Sequence, residues 1–143
     1  AALAIARLQK HILDQPKAPK IRPTRIVEDE FILRYGKELG RLCYAEAMKK
    51  AFDAESAAAF NQTLERLWPE LRVELQKFMI DPEEIRATIA SAGGPTTATE
   101  LGLSVSVWRD AMKYARDIRN RWSFLDLADD SGLLDEFLAG DAQ

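Results

Sequence analysis

The chain has 143 residues, 47% of them hydrophobic and 30% charged, which is typical of a single globular domain. One cysteine excludes an internal disulfide framework and a cysteine-rich zinc site, and one histidine excludes a multi-histidine metal cluster. The net charge is −3, but the charges are unevenly distributed: segments 7–25 and 104–123 are basic, and segment 124–143 is acidic. The basic segments could contact phosphate, nucleic acid or an acidic partner.

Two features of the chain concern its location and extent. No apolar run approaches the ~20 residues of a membrane helix, and basic residues interrupt the apolar start, so we expect a cytoplasmic protein without a membrane partner. The chain opens on Ala1 in a helical pattern with no capping residue before it. We therefore expect a piece of a longer protein, with a trimmed or disordered N-terminus as the alternative.

The first half of the chain predicts three helical regions. A helix over 1–14 ends at a proline, and residues 15–26 form an exposed loop rich in proline and basic residues, which is mobile or lies against another surface. Residues 28–52 show the spacing of one long amphipathic helix. The apolar pattern repeats up to Phe78, where Pro69 predicts a kink or two consecutive helices.

The second half predicts shorter helices with capping residues. Asp81 and Pro82 begin a helix that ends at Gly93, and Thr97 to Glu100 forms a capping box. Ser104 or Ser106 begins a helix to about Trp122, and a last helix over 124–130 is followed by an acidic terminal turn. The fold class is therefore all-α: one domain over 1–143, an irregular bundle of six to eight helices.

Two single residues could carry chemistry, but each has a simpler interpretation. His11 could be a metal ligand or a general base. Its position instead predicts an exposed side chain in the last turn of a helix, where a protonated imidazole interacts favourably with the helix dipole. Cys43 lies on the apolar face of its helix, so we expect a small core residue rather than a nucleophile.

The acidic residues near the C-terminus do not match the spacing of a calcium loop. We expect them to form a solvated acidic tail; they are Asp126, Asp129, Asp130, Asp135 and Glu136.

Arg119 is the most informative residue of the predicted helix over 105–122. At about 100° per residue, it falls among the apolar residues, and Arg116 lies at the edge of that arc. An arginine on a buried arc needs a paired charge or a cavity. Either the helix ends before Arg119, or Arg119 pairs with a buried acid, or it faces a cleft and binds an anion such as phosphate.

Two stretches carry a resemblance to a known family. Residues 92–103 read Ala-Gly-Gly-Pro-Thr-Thr-Ala-Thr-Glu-Leu-Gly-Leu, and residues 111–128 read Ala-Met-Lys-Tyr-Ala-Arg-Asp-Ile-Arg-Asn-Arg-Trp-Ser-Phe-Leu-Asp-Leu-Ala. They resemble the C-terminal region of the glycerol-1-phosphate dehydrogenases, in the superfamily of iron-containing alcohol dehydrogenases and 3-dehydroquinate synthases. The resemblance is most specific over 85–134.

The resemblance implies an NAD(P)-dependent reduction of dihydroxyacetone phosphate to sn-glycerol 1-phosphate. It implies an N-terminal nucleotide-binding domain, a helical C-terminal domain, and a divalent metal, typically zinc, held by one Asp and two His. This chain lacks the nucleotide turn and the paired histidines, so we expect it to be the helical part alone, inactive and without cofactor by itself. Its partners would be the missing nucleotide-binding domain and a triose phosphate. Assembly into a homo-oligomer is a further possibility.

The resemblance also places Arg119 and Arg121 on an Ile-Arg-x-Arg motif, where Asn120 replaces the more usual Asp. By analogy with dehydroquinate synthases, Arg119 would bind the substrate phosphate, assisted by Arg121 or Arg116. No catalytic, nucleotide-binding or metal-binding residue is expected on this chain.

Two alternatives stay open. The chain could be a stand-alone helical module that binds an acidic protein or nucleic acid through 17–25 and 109–121, although a net acidic chain without a helix-turn-helix signature speaks against nucleic acid. It could also belong to the same superfamily with another reaction, as a glycerol or alcohol dehydrogenase or a dehydroquinate synthase-like enzyme.

Overall fold

A computed structural model describes residues 1–140, so the end of the predicted domain and of its acidic tail, at 141–143, lies outside the described residues. Within 1–140 the chain forms eight α-helices and one short 3₁₀ turn at Ala115–Ile118. The helices are α1 (Ala2–Leu13), α2 (Glu28–Tyr35), α3 (Lys37–Met48), α4 (Ala54–Phe78), α5 (Pro82–Ser91), α6 (Val105–Tyr114), α7 (Phe124–Ser131) and α8 (Leu133–Gly140). The predicted all-α class with six to eight helices is confirmed.

Two apolar clusters hold these helices together. The larger one joins α1, α4, α6, α7 and α8, and its most buried side chains are Leu8, Ile12, Leu13 and Leu134. The smaller one joins α2 and α3 through Phe31, Cys43 and Ala47. Cys43 is a core residue as predicted, and burial raises the pKa of its thiol, with a smaller contribution from Asp117. A raised pKa keeps the thiol protonated and unreactive.

Predicted helix ends with capping residues are confirmed. The Asp81 carboxylate accepts a hydrogen bond from the Glu83 amide at 2.8 Å, and Pro82 begins α5. Ser104 Oγ accepts from the Val107 amide at 3.3 Å at the start of α6. These ends were predictable because a free amide at a helix start needs a nearby acceptor.

Two predicted long helices, over 28–52 and over 105–122, are not formed as predicted, and one of the two alternatives at Pro69 is wrong. The predicted helix over 28–52 is divided into α2 and α3 at Gly36, whose φ of +81° is left-handed and does not fit a helix. As a result Leu39 and Leu42 are exposed. In contrast, α4 runs through Pro69, which lies on its exposed side, so the alternative of two consecutive helices is wrong. Water can bind the carbonyl group that loses its donor there.

The predicted helix over 105–122 is shorter than expected, and the alternative that the helix ends before Arg119 is confirmed. Helix α6 ends at Tyr114, and after the 3₁₀ turn Arg119 is extended, with φ −135° and ψ 146°. Arg119 is exposed and not on a buried arc. Ion pairs of Arg116 and Asp117 hold the turn at which the chain leaves the helix.

The basic loop lies against the body of the protein. The side chains of Lys17, Lys20, Arg22 and Arg25 are exposed as predicted, whereas Pro19 and Ile21 are buried. His11 lies in the last turn of α1 as predicted. Its ring packs on Phe137, with 5.9 Å between the ring centres, and the residue is only partly exposed. Among residues 1–140, no helix combines the length and the hydropathy that a bilayer crossing requires.

Candidate functional site

Arg116 is the centre of a buried ion cluster. Its side chain is 7% exposed, and Nε lies 3.0 Å from Oδ1 of Asp126. Nη1 and Nη2 donate to Oδ1 of Asp130 at 3.1 and 3.2 Å, and Nη1 donates to Asp129 at 2.5 Å. The 3₁₀ turn supplies the arginine and α7 supplies the three carboxylates. The expectation that these aspartates form a solvated tail is therefore wrong for Asp126 and Asp130, which are buried.

Lys50 joins the cluster from the end of α3. Its Nζ lies 2.7 Å from Oδ1 of Asp126 and donates to the carbonyl oxygen of Arg116 at 2.7 Å. The other oxygen of Asp126 accepts from the amide and the hydroxyl of Ser123, at 2.8 and 2.9 Å, at the start of α7. Asp126 thus links a helix cap to two buried cations, which is how a carboxylate with no exposed surface is tolerated.

Asp117 forms a second set of contacts on the other side of the turn. Its Oδ2 accepts from Nη1 of Arg34 at 2.7 Å and from the Tyr35 hydroxyl at 2.9 Å. The Arg34 guanidinium also lies 3.7 Å from the centre of the Tyr114 ring, a cation–π contact. The turn is therefore tied to α2 by Asp117 and to α3 and α7 by Arg116 and Lys50.

Burial governs the electrostatics of the cluster. Burial alone would lower the pKa of Arg116, but the carboxylates of Asp130, Asp129 and Asp126 together raise it, so the guanidinium stays charged. Burial raises the pKa of Asp129 and of Asp130, and it outweighs the opposite effect of Arg116. Burial and the Asp117 carboxylate raise the pKa of the Tyr35 hydroxyl, which remains a hydrogen-bond donor.

A cavity of about 570 Å³ lies beside the cluster. Lys50, Arg116 and Asp130 form part of its wall, and Arg22, Arg25 and Lys113 line it as well. Its size is within the range of small-molecule sites, about 300–1,000 Å³. The buried cations of the wall are already bound to carboxylates, whereas Arg22, Arg25 and Lys113 reach solvent.

The three predicted phosphate-binding arginines are in different environments. Arg116 lies in the cavity wall with its guanidinium bound to three carboxylates. Arg119 and Arg121 are exposed, do not line this cavity, and have no ion pair within the described part of the chain. Their guanidinium groups are therefore available to an anion, whereas that of Arg116 is not.

Sequence reasoning missed Lys50, Asp117 and the role of the α7 aspartates. One signal was present: Asp126, Asp129 and Asp130 are three and four residues apart and so lie on one face of a helix that also carries buried leucine. No comparable signal identified Lys50, since its partners are 66 and 76 residues away in sequence.

Neither a metal-ligand cluster nor a dinucleotide-binding motif is found among the described residues. Within 1–140 no three His, Cys, Asp or Glu side chains are arranged to hold a metal ion. The same residues form no strand, so the strand–turn–helix that binds dinucleotides is not found in this part of the chain.

Comparison with known proteins gives a partial match. Over 43 residues, 30% of this chain, the sequence is 46% identical to a protein of Haloquadratum walsbyi named glycerol-1-phosphate dehydrogenase (NAD(P)+). The chain spans 12% of the length of that relative. No family model and no solved structure matches the chain. The similarity points to the glycerol-1-phosphate dehydrogenases.

Proposed function

We propose that the chain is the helical C-terminal part of an NAD(P)-dependent and metal-dependent glycerol-1-phosphate dehydrogenase-like oxidoreductase. The observation that carries the proposal is the 46% identity to such a dehydrogenase over 43 residues. The all-helical fold of residues 1–140 agrees with it. The proposed parent is cytoplasmic, and its nucleotide-binding domain is the proposed partner of this chain.

The proposed reaction is the reduction of dihydroxyacetone phosphate to sn-glycerol 1-phosphate. When bound in the parent protein, the nicotinamide would supply the hydride, and a divalent metal, zinc in this proposal, would polarise the carbonyl group. The residues of this chain would act on the other end of the substrate by binding and orienting its phosphate. Orientation matters because a correctly held substrate needs less ordering in the transition state.

Arg119 and Arg121 are the proposed phosphate-binding residues. Both are exposed and without an ion pair in the described part of the chain, and a guanidinium can bind two phosphate oxygens at once. Arg116 would contribute by position: Lys50 holds its carbonyl oxygen, and Arg34 holds Asp117. These contacts fix the turn that ends directly before Arg119.

The test is kinetic and uses the full-length protein. Arg119→Ala and Arg121→Ala should each raise the KM for dihydroxyacetone phosphate about tenfold or more, because each removes charged hydrogen bonds to phosphate. Arg66→Ala, which removes an exposed arginine from α4, is the matched control and should leave the KM unchanged. An unchanged KM in both test variants would refute the assigned role.

The 143-residue chain by itself should neither oxidise NADH with dihydroxyacetone phosphate nor retain zinc. Metal analysis of the purified chain checks the second statement, and stoichiometric, tightly bound zinc would contradict the proposed division between domains.

A further inference from the structure

A cation without a partner lines the cavity. The side chain of Arg22 is exposed, and its guanidinium forms no hydrogen bond or ion pair with any described residue. Lys50 and Arg116, which also line the cavity, are each bound to buried carboxylates. Arg22 therefore offers the cavity a positive charge that the fold does not use.

The backbone around Arg22 is held on both sides. The amide and the carbonyl of Ile21 bond to the Asn61 side chain at 2.9 and 2.8 Å. The Arg22 amide donates to the Asp130 carbonyl at 2.9 Å, and the Thr24 amide donates to the Phe52 carbonyl at 2.8 Å. This segment is thus ordered before any ligand arrives, which reduces the entropy lost on binding.

The guanidinium of Arg22 lies against the end of α7. Gly132 caps α7 with a left-handed φ of +84°, and a Cβ added there would be 3.2 Å from Nη2, so the guanidinium packs closely on this glycine. Arg25 and Lys113 lie on the same cavity. They pair with Glu30 at 2.7 Å and with Asp135 at 3.6 Å, and all four side chains are substantially exposed. Exposed pairs of this kind are weak, so both cations can turn to a ligand.

We propose that this cavity is an oxyanion-binding site in which Arg22 holds the phosphate or carboxylate group of a small organic molecule. The planar guanidinium matches two oxygens of such a group. Arg25 and Lys113 lie on the same lining with their carboxylate partners, so Arg22 supplies the positive charge that no carboxylate of the lining binds. The partly exposed carboxylate of Asp129, also in the lining, accepts hydrogen bonds from the remainder of the ligand. The site is separate from Arg119 and Arg121, which do not line this cavity, and does not depend on the proposed reaction.

The experiment is a titration of the 143-residue chain with inorganic phosphate, followed by the amide NMR signals of Arg22 and Gly132 at constant ionic strength. We expect saturable shifts at these two residues. Arg22→Gln should weaken phosphate binding about tenfold or more. Lys20→Gln is the matched control, since Lys20 is exposed in the same segment but does not line the cavity, and it should bind as the unmodified chain does.

A second anion and a conservative variant test the kind of anion and the role of the guanidinium. A parallel titration with acetate distinguishes a carboxylate site from a phosphate site. Arg22→Lys keeps the positive charge but loses the planar guanidinium, and it should bind phosphate with an affinity between those of the unmodified chain and Arg22→Gln. Circular dichroism verifies that each variant is folded. Absence of saturable shifts with both anions, or equal weakening in Arg22→Gln and Lys20→Gln, would overturn the proposal. Binding lost in Arg119→Ala but kept in Arg22→Gln would overturn it too, and would assign the anion to the arginines of the proposed dehydrogenase.

Discussion

Arg116 has a larger structural role than its position in the sequence indicates. It contacts Asp126, Asp129 and Asp130, and without it Lys50 would be the remaining cation that pairs with Asp126. A buried ion pair contributes little net stability compared with apolar packing, but removal of one partner leaves buried charges unpaired. The cluster is therefore sensitive to the loss of any one member.

Arg116→Met should lower the free energy of unfolding by about 3–5 kcal/mol, because it leaves buried carboxylates without their cation. Arg119→Met, which removes an exposed arginine three residues later, is the control and should change it by less than about 0.5 kcal/mol. Urea unfolding of both variants measures the difference. Equal small losses in the two would mean that the cluster contributes nothing to folding.

The pH dependence of stability follows from the raised pKa of Asp129. Its ordinary value is 3.8, and burial raises it in the folded chain. A carboxyl whose pKa is raised by folding stabilises the folded state below its ordinary pKa, and this contribution is lost as the pH rises through the raised pKa.

Asp129→Asn removes this titration. Relative to the unmodified chain, the variant should therefore gain stability as the pH rises from about 3 to about 7. Urea midpoints of both proteins across that range measure the trend. If the difference in urea midpoint between the variant and the unmodified chain stays constant, or if the variant loses stability relative to the unmodified chain as the pH rises, Arg116 outweighs burial at Asp129.

At the scale of elements, the α2–α3 pair depends on a close backbone approach. A Cβ on Gly40 would lie 2.6 Å from the Phe31 carbonyl oxygen and 2.7 Å from Cα of Ile32. Both are backbone atoms, which cannot move aside as a flexible side chain can. The helices can pack at this distance because α3 has a glycine there.

Gly40→Ala should therefore cost about 1–3 kcal/mol of stability, the usual range for overpacking. Gly140→Ala is the matched control: it places a methyl group in open space on α8 and should be neutral or slightly stabilising. Thermal unfolding compares the two. A neutral Gly40→Ala would mean that α2 and α3 can separate without loss.

At the scale of the molecule, two apolar clusters of unequal size are joined by polar contacts. The α2–α3 cluster has three buried hydrophobic residues, whereas the cluster of α1, α4, α6, α7 and α8 contains most of the core. The contacts between them include Lys50 with Asp126 and Arg34 with Asp117. Regions with few buried apolar contacts open locally at a lower free energy than the rest of a protein.

We expect amide hydrogen exchange to be faster in α2 and α3 than in α1 and α7. Asp117→Asn should lower protection further in α2, because it weakens the contacts to Arg34 and Tyr35, while protection in α1 changes little. Equal protection of α1 and α2 in the unmodified chain, or a uniform loss in the variant, would show one cooperative unit instead.

Local features were predictable from the sequence because their causes lie within a few residues. The helical class, the helix starts at Asp81 and Ser104, and the burial of Cys43 follow from caps and apolar spacing. The break at Gly36 was missed, and the end of α6 was anticipated only as the alternative that the helix stops before Arg119, since apolar spacing continues across both positions. Spacing measures which side chains can share a face; it does not measure whether the backbone stays helical.

The sequence by itself determined an all-helical chain with basic segments and arginines suited to anions, because composition, caps and periodicity act over short distances. The tertiary structure decided which charged side chains form ion pairs and which remain unpaired. It buried Arg116 and Lys50 among carboxylates, and it left Arg22, Arg119 and Arg121 without partners in the described part of the chain. That choice depends on side chains tens of residues apart meeting in a low-dielectric interior, where an unpaired charge is far more costly than at the surface.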